Sequence, residues 1–202
     1  MAVAAQYKIV LIGNAGVGKS SFFQRLRLGQ NFDLVKMDAV TLGLDCFDYM
    51  CTVGNASVKV ALYDTASNEK YRSTMTSNYF RHARGVILMY SVDDQASLVE
   101  LSEWKATASL YSDQDITWAL IGNKCDLFME VPEDAIKAKC DEFKTNLSFM
   151  VSAKTGENVK ETFEQIVDRI HNRSQTCHKP GSGPTANVTK VVSTKAKRGS
   201  LC

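Results

Sequence analysis

The sequence is poor in the residues that would mark most metal, redox and secreted proteins. It has three histidines in 202 residues, His82, His171 and His178, and none stands at a metal-ligand spacing from another. Its six cysteines (Cys46, Cys51, Cys125, Cys140, Cys177 and Cys202) form no C-x-x-C pair, which excludes the common zinc and dithiol patterns and points to reduced thiols. No apolar run approaches the roughly 18 residues of a membrane span, and the opening Met-Ala-Val-Ala-Ala-Gln-Tyr-Lys has neither the charged start nor the apolar stretch of a signal peptide. A cytoplasmic protein is therefore expected, and the sequons at Asn55, Asn146, Asn172 and Asn187 lack a secretory context. One-sided charge is scarce as well: the net charge is +2, yet residues 174–202 hold five Lys/Arg and no acid, so the body is slightly acidic and the tail basic. No nucleic-acid partner is expected.

What is present is an ordinary 45% hydrophobic composition, enough for one core, organised around residues 7–20. A short apolar, β-branched run at 7–12 is followed by Gly13-Asn14-Ala15-Gly16-Val17-Gly18-Lys19-Ser20, the pattern G-x-x-x-x-G-K-[ST]. Three glycines let the backbone curl with its N–H groups inward, at a helix N-terminus whose dipoles favour anions. Asn14 to Ser21 thus read as a phosphate cradle. Lys19 is placed to meet the β- and γ-phosphates, and the Ser20 hydroxyl to ligate a Mg²⁺ ion shared with them.

Helical spacing of Phe22, Phe23 and Leu26 predicts a helix over 19–28, and residues 30–43 read as a long functional loop. Strands at 44–53 and 57–63 flank Gly54-Asn55-Ala56 as a hairpin. Residues 64–84 read as a loop passing into an irregular helix. Beyond them strands at 85–91, 116–121 and 147–151 alternate with helices at 94–111, 132–144 and 157–171. The expected architecture is α/β: a P-loop NTPase fold with a mostly parallel six-stranded sheet, one strand antiparallel, and helices on both faces.

In such a sheet ligands sit at the carboxyl ends of the strands, and three further strand ends carry polar clusters. Asp64, with Thr65-Ala66-Ser67, can hold Mg²⁺ through water. Asn123-Lys124-Cys125-Asp126-Leu127 places an aspartate able to accept from the N1–H and 2-amino groups of guanine, which adenine cannot offer; such discrimination reaches ~10⁴-fold. Ser152-Ala153-Lys154 offers a backbone N–H to the guanine O6.

These motifs, in this order, make residues 7–172 resemble the small GTPases of the Ras superfamily, most closely the Rab branch. Thr41-Leu42-Gly43-Leu44-Asp45 looks like the Rab switch I signature Thr-Ile-Gly-Val-Asp, and Tyr71-Arg72-Ser73 with Asn78-Tyr79-Phe80-Arg81 looks like the Rab switch II pattern. The resemblance implies a GTP/GDP-dependent switch in vesicular trafficking. Ser20, Thr41 and Asp64 would form the metal set, Phe32 would pack against the guanine, and Lys19, Thr41 and Asn68 would act on the γ-phosphate. It also implies a monomer with an exchange factor, an activating protein, effectors reading residues 41–47 and 64–80, and prenylation escort and dissociation-inhibitor proteins.

The departures matter. Where the family usually reads Asp-Thr-Ala-Gly-Gln-Glu, this chain reads Asp64-Thr65-Ala66-Ser67-Asn68-Glu69. Asn68 keeps the amide that orients the attacking water but is one methylene short, a misplacement worth ~10²-fold in rate. Ser67 replaces a glycine whose N–H meets the γ-phosphate. Slow intrinsic hydrolysis is expected, and a non-hydrolysing GTP-binding scaffold is the alternative. A phosphate-loop kinase of small metabolites is disfavoured by Asp126 and by the lack of a lid. The loop between positions 19 and 41 is longer than usual, and Cys46 and Tyr63 replace two of the aromatics that Rab effectors read, while Tyr79 remains.

The expected division is a GTPase domain over 1–173 and a flexible basic tail over 174–202. The tail ends in a single Cys202, neither a C-a-a-X box nor a double cysteine. Prenylation there, helped by Lys195, Lys197 and Arg198, would place the protein peripherally on the cytosolic face of an endomembrane.

Overall fold

The computed structural model describes residues 3–33, 44–65 and 77–176. Strand β1 (Ala5–Ile12) is apolar on both faces and lies inside a six-stranded sheet of order β2-β3-β1-β4-β5-β6. Strands β2 (Leu44–Val53) and β3 (Ala56–Thr65) form the antiparallel hairpin. Its turn begins at Gly54 with φ +57°, the sign that the first central residue of a type II′ turn requires. The other pairings, β1 with β3 and β4 (Ala83–Ser91), β4 with β5 (Thr117–Asn123), and β5 with β6 (Ser148–Met150), are parallel. The mixed sheet is the one expected from the sequence.

Alternation along β1 divides the core between two layers. Ile9 and Leu11 pack with Phe22 and Phe23 of α1 (Lys19–Leu28) and with Phe163, Ile166 and Ile170 of α6 (Val159–Thr176). Val10 and Ile12 pack on the opposite face with Leu98 of α3 (Gln95–Val99), Leu101 and Trp104 of α4 (Leu101–Ser109), and Ile136 and Phe143 of α5 (Glu133–Phe143). A short helix, α2 (Ser77–Phe80), precedes β4.

Some boundaries differ from the sequence reading. The helix expected over 94–111 is divided at Glu100, which keeps helical angles (φ −68°, ψ −12°). Its start is fixed by Asp94, whose Oδ1 accepts from the Ala96 and Ser97 amides at 3.0 and 3.3 Å. Pro132 caps α5 from outside, and Lys144 closes it in the left-handed conformation. The last helix continues to Thr176; within it Ile170 and His171 are buried, and the Tyr7 hydroxyl meets His171 Nδ1 at 3.0 Å.

Candidate functional site

The carboxyl ends of β1, β3 and β5 bring the phosphate loop, Asp64 and Asn123 to one edge of the sheet. Two glycines there have no substitute. Gly13 lies at φ +144°, where an added Cβ would fall 2.2 Å from the Met89 carbonyl oxygen; Gly18 lies at φ +94°, with Asn123 Nδ2 at 2.2 Å from the same position. The loop is therefore wedged against β4 on one side and the base-binding strand on the other.

Lys19 opens α1 and is only 2% exposed. Its ammonium donates to the carbonyls of Gly13 and Asn14 at 2.6 and 2.7 Å, closing the loop on itself. Burial pulls its pKa down to about 8, although the Asp64 carboxylate opposes that shift. Asp64 is itself buried at the end of β3, and among the described residues no donor is placed to hydrogen-bond its Oδ1. Beside it Thr65 Oγ1 donates to the Leu11 carbonyl at 2.8 Å, pinning β3 to β1. Ser20, a hydroxyl in the first turn of α1, follows Lys19, and Asp64 is close enough to Lys19 to act on its charge; both offer oxygen donors. That chemistry fits Mg²⁺, which keeps several waters and needs few protein ligands.

The Asn14 side chain finds two partners on the helices beside the cradle. Its Oδ1 accepts from the Trp104 indole at 2.7 Å and its Nδ2 donates to Glu100 at 2.8 Å. A buried amide wants both partners, so the division of the helix at Glu100 coincides with a contact to the phosphate loop. Neither residue stood out in the sequence; the available signal was a polar residue inside a glycine loop, which needs a partner, and one of only two tryptophans.

The base motifs are tied together by Asn123. Its Nδ2 donates to the Val17 carbonyl at 2.9 Å, and its Oδ1 accepts from the Ala153 amide at 3.0 Å. Of the Ser152-Ala153-Lys154 amides offered to a guanine O6, that of Ala153 is directed at Asn123. Asp126 has a side chain 13% exposed. It accepts from Ser152 Oγ at 2.6 Å and lies 3.6 Å from Lys154 Nζ. The Ser152 hydroxyl foremost, with Lys154 adding to it, holds the Asp126 carboxyl below the usual carboxylate range, keeping it ionised. Lys124 sits at φ +66° and reaches Asp93 at 3.6 Å. Leu127 is exposed, as are Ala15 and Gly16. Phe32 is buried beneath the Arg25 guanidinium, 4.3 Å from the ring centre. Thr41, Ser67, Asn68 and Cys202 lie outside the described residues.

Among the described residues, no helix is long and apolar enough to cross a membrane, and no group of three His, Cys, Asp or Glu is placed to hold a metal by itself.

Comparison with known proteins agrees with this geometry. Residues 8–172 match the Ras family. The chain is 34% identical to the mouse Ras-related protein Rab-3D, an alignment covering 90% of this chain and 81% of that protein. It is 34% identical to Arabidopsis thaliana Ras-related protein RABA1a, covering 96% and 92%, and 34% identical to Dictyostelium discoideum Ras-related protein Rab-1D, covering 83% and 80%. With the phosphate loop, the buried lysine and the Asn123–Asp126 base motif assembled at one sheet edge, the chain belongs to the Ras family as a Rab-like small GTPase.

Proposed function

We propose that this protein is a GTP/GDP switch in vesicular trafficking whose intrinsic hydrolysis is slow. The observation that carries the switch reading is Asn123, which joins the phosphate loop to the base loop through Val17 and Ala153. One group then reports on both ends of a guanine nucleotide. Lys19 neutralises β- and γ-phosphate charge, the cradle amides orient those oxygens, and Asp126 selects guanine. When bound, Mg²⁺ would be held by Ser20, Thr41 and Asp64 and would neutralise charge between the β- and γ-phosphates.

Asn68 is the group placed by sequence to orient the attacking water, one methylene short of the usual glutamine, and Ser67 replaces the neighbouring glycine. These two positions favour a rate at or below about 10⁻⁴ per second, the unassisted scale of such enzymes. They also support the second reading, a GTP-binding scaffold that does not turn over. An activating protein that supplies its own arginine and glutamine would restore turnover to the switch and not to the scaffold.

Exchange factor, activating protein, effectors at 41–47 and 64–80, escort and dissociation-inhibitor proteins complete the cycle. Cys202 would carry the lipid that attaches the protein to the cytosolic face of an endomembrane. Multiple-turnover phosphate release, alone and with a Rab-type activating protein, tests the proposal: stimulated release is the expected result, and none under any condition supports the scaffold. Intact mass of protein taken from its own cells tests the lipid, and an unmodified Cys202 would remove it.

A further inference from the structure

Arg25 stands in none of the sequence motifs, yet it reaches two of the segments that would hold the base. It lies on the last turns of α1, half-buried. Its Nε donates to the Ala153 carbonyl at 2.8 Å, its Nη2 to the Lys154 carbonyl, and its Nη1 to the Gly29 carbonyl at 3.2 Å. The face of the same guanidinium lies 4.3 Å over the Phe32 ring. A planar fork is the one side chain that can serve two neighbouring carbonyls at its edge and an aromatic ring on its face at once.

The consequence lies in what those partners do. Ala153 and Lys154 form the loop whose amide side is fixed by Asn123 and whose lysine flanks Asp126. Phe32 ends the 3₁₀ turn Gly29–Asn31 and begins the segment leading to Thr41. Carbonyls held on the far side of the 153–154 backbone turn its polar atoms in opposite directions, so Arg25 sets the orientation of the loop without touching the base. We propose that Arg25 is a positioning residue for guanine recognition, clamping the 152–154 loop to the start of switch I and so setting the rate at which nucleotide leaves. The inference rests on the guanine-nucleotide reading above.

The test uses the full-length protein and three readouts: release of a fluorescent GDP analogue, competition between GDP and ADP, and single-turnover hydrolysis of pre-bound GTP. For Arg25→Ala, GDP release accelerates by about tenfold or more, the scale of one charge-assisted hydrogen bond. The preference for GDP over ADP falls, while hydrolysis of GTP already bound is unchanged because the phosphate machinery is intact. Arg25→Lys keeps a cation over Phe32 but not the fork; it releases GDP at a rate between the two and carries the test if the alanine variant does not fold. Release within twofold of wild type in the folded variants overturns the proposal, as does a fall in hydrolysis parallel to that in binding. If wild type itself binds no GDP, the guanine reading fails instead.

Discussion

The indole nitrogen of Trp104 donates a 2.7 Å hydrogen bond to Oδ1 of Asn14, joining a helix on one face of the sheet to the phosphate loop at its edge. Trp104 is 1% exposed and Asn14 is 9% exposed, so neither polar atom has water as a substitute. Trp104→Phe keeps most of the apolar packing and leaves the Asn14 oxygen buried without its donor. We expect a loss of about 1–3 kcal/mol in denaturant unfolding together with faster GDP release. Lower stability with unchanged release would show that the bond supports α4 alone.

Asn123 makes a different kind of bridge, since both ends of one amide are committed to backbone groups of separate loops. Asn123→Ala should cost about 2–4 kcal/mol of stability, the range for two buried bonds lost together. It should weaken GDP and GTP to the same extent, because the loop it releases lies under both. Calorimetric titration with each nucleotide is the direct measurement.

Asp126→Ala removes the only acidic group of the base motif and the acceptor of the Ser152 hydroxyl. Discrimination between GDP and ADP should collapse, by up to ~10⁴-fold, because an unmade buried bond is what rejects the wrong base. Competition binding decides it; a retained guanine preference would move base selection elsewhere.

The Ser67→Gly, Asn68→Gln double substitution should raise single-turnover hydrolysis of bound GTP tenfold or more, corresponding to about 1.4 kcal/mol of transition-state stabilisation. Equal rates would mean that the water is oriented by another group or by a partner.

The cysteines give a prediction that needs no hydrolysis assay. Cys46 is exposed on β2, whereas burial, with Glu157 and Asp126 nearby, pushes the Cys125 thiol up to about 11. At pH 8 the thiolate fraction of Cys125 is lower by about two orders of magnitude than that of an ordinary cysteine. Timed alkylation followed by peptide mass mapping should label Cys46 well before Cys125, with the Cys125 rate still rising as the pH passes 10.

How much of this could be read beforehand follows from distance along the chain. The cradle from Gly13 to Ser20 was legible because its chemistry is local: glycine conformations, one cation and one hydroxyl within eight positions. The sheet was legible because β1, β4 and β5 are apolar on both faces. Partners were not. The side chain of Asn14 is held by Trp104, 90 positions away, a partner no local pattern contains. Arg25 belongs to no local motif, and the two carbonyls it meets in the 153–154 loop lie 128 and 129 positions further on. Helices too depend on distant partners: His171 of α6 meets a Tyr7 hydroxyl that no local pattern contains.

The buried ammonium of Lys19 carries a last implication. Its dehydration is completed during folding, and Asp64 offsets that cost only in part. An arriving phosphate therefore meets a cation already stripped of water, and its charge relieves a tension that the fold built in. The nucleotide is then as much a piece of the protein's framework as it is a signal. The empty form would be the one that heat, proteases and chaperones meet first, and the supply of guanine nucleotide would then set the lifetime of the protein in a cell.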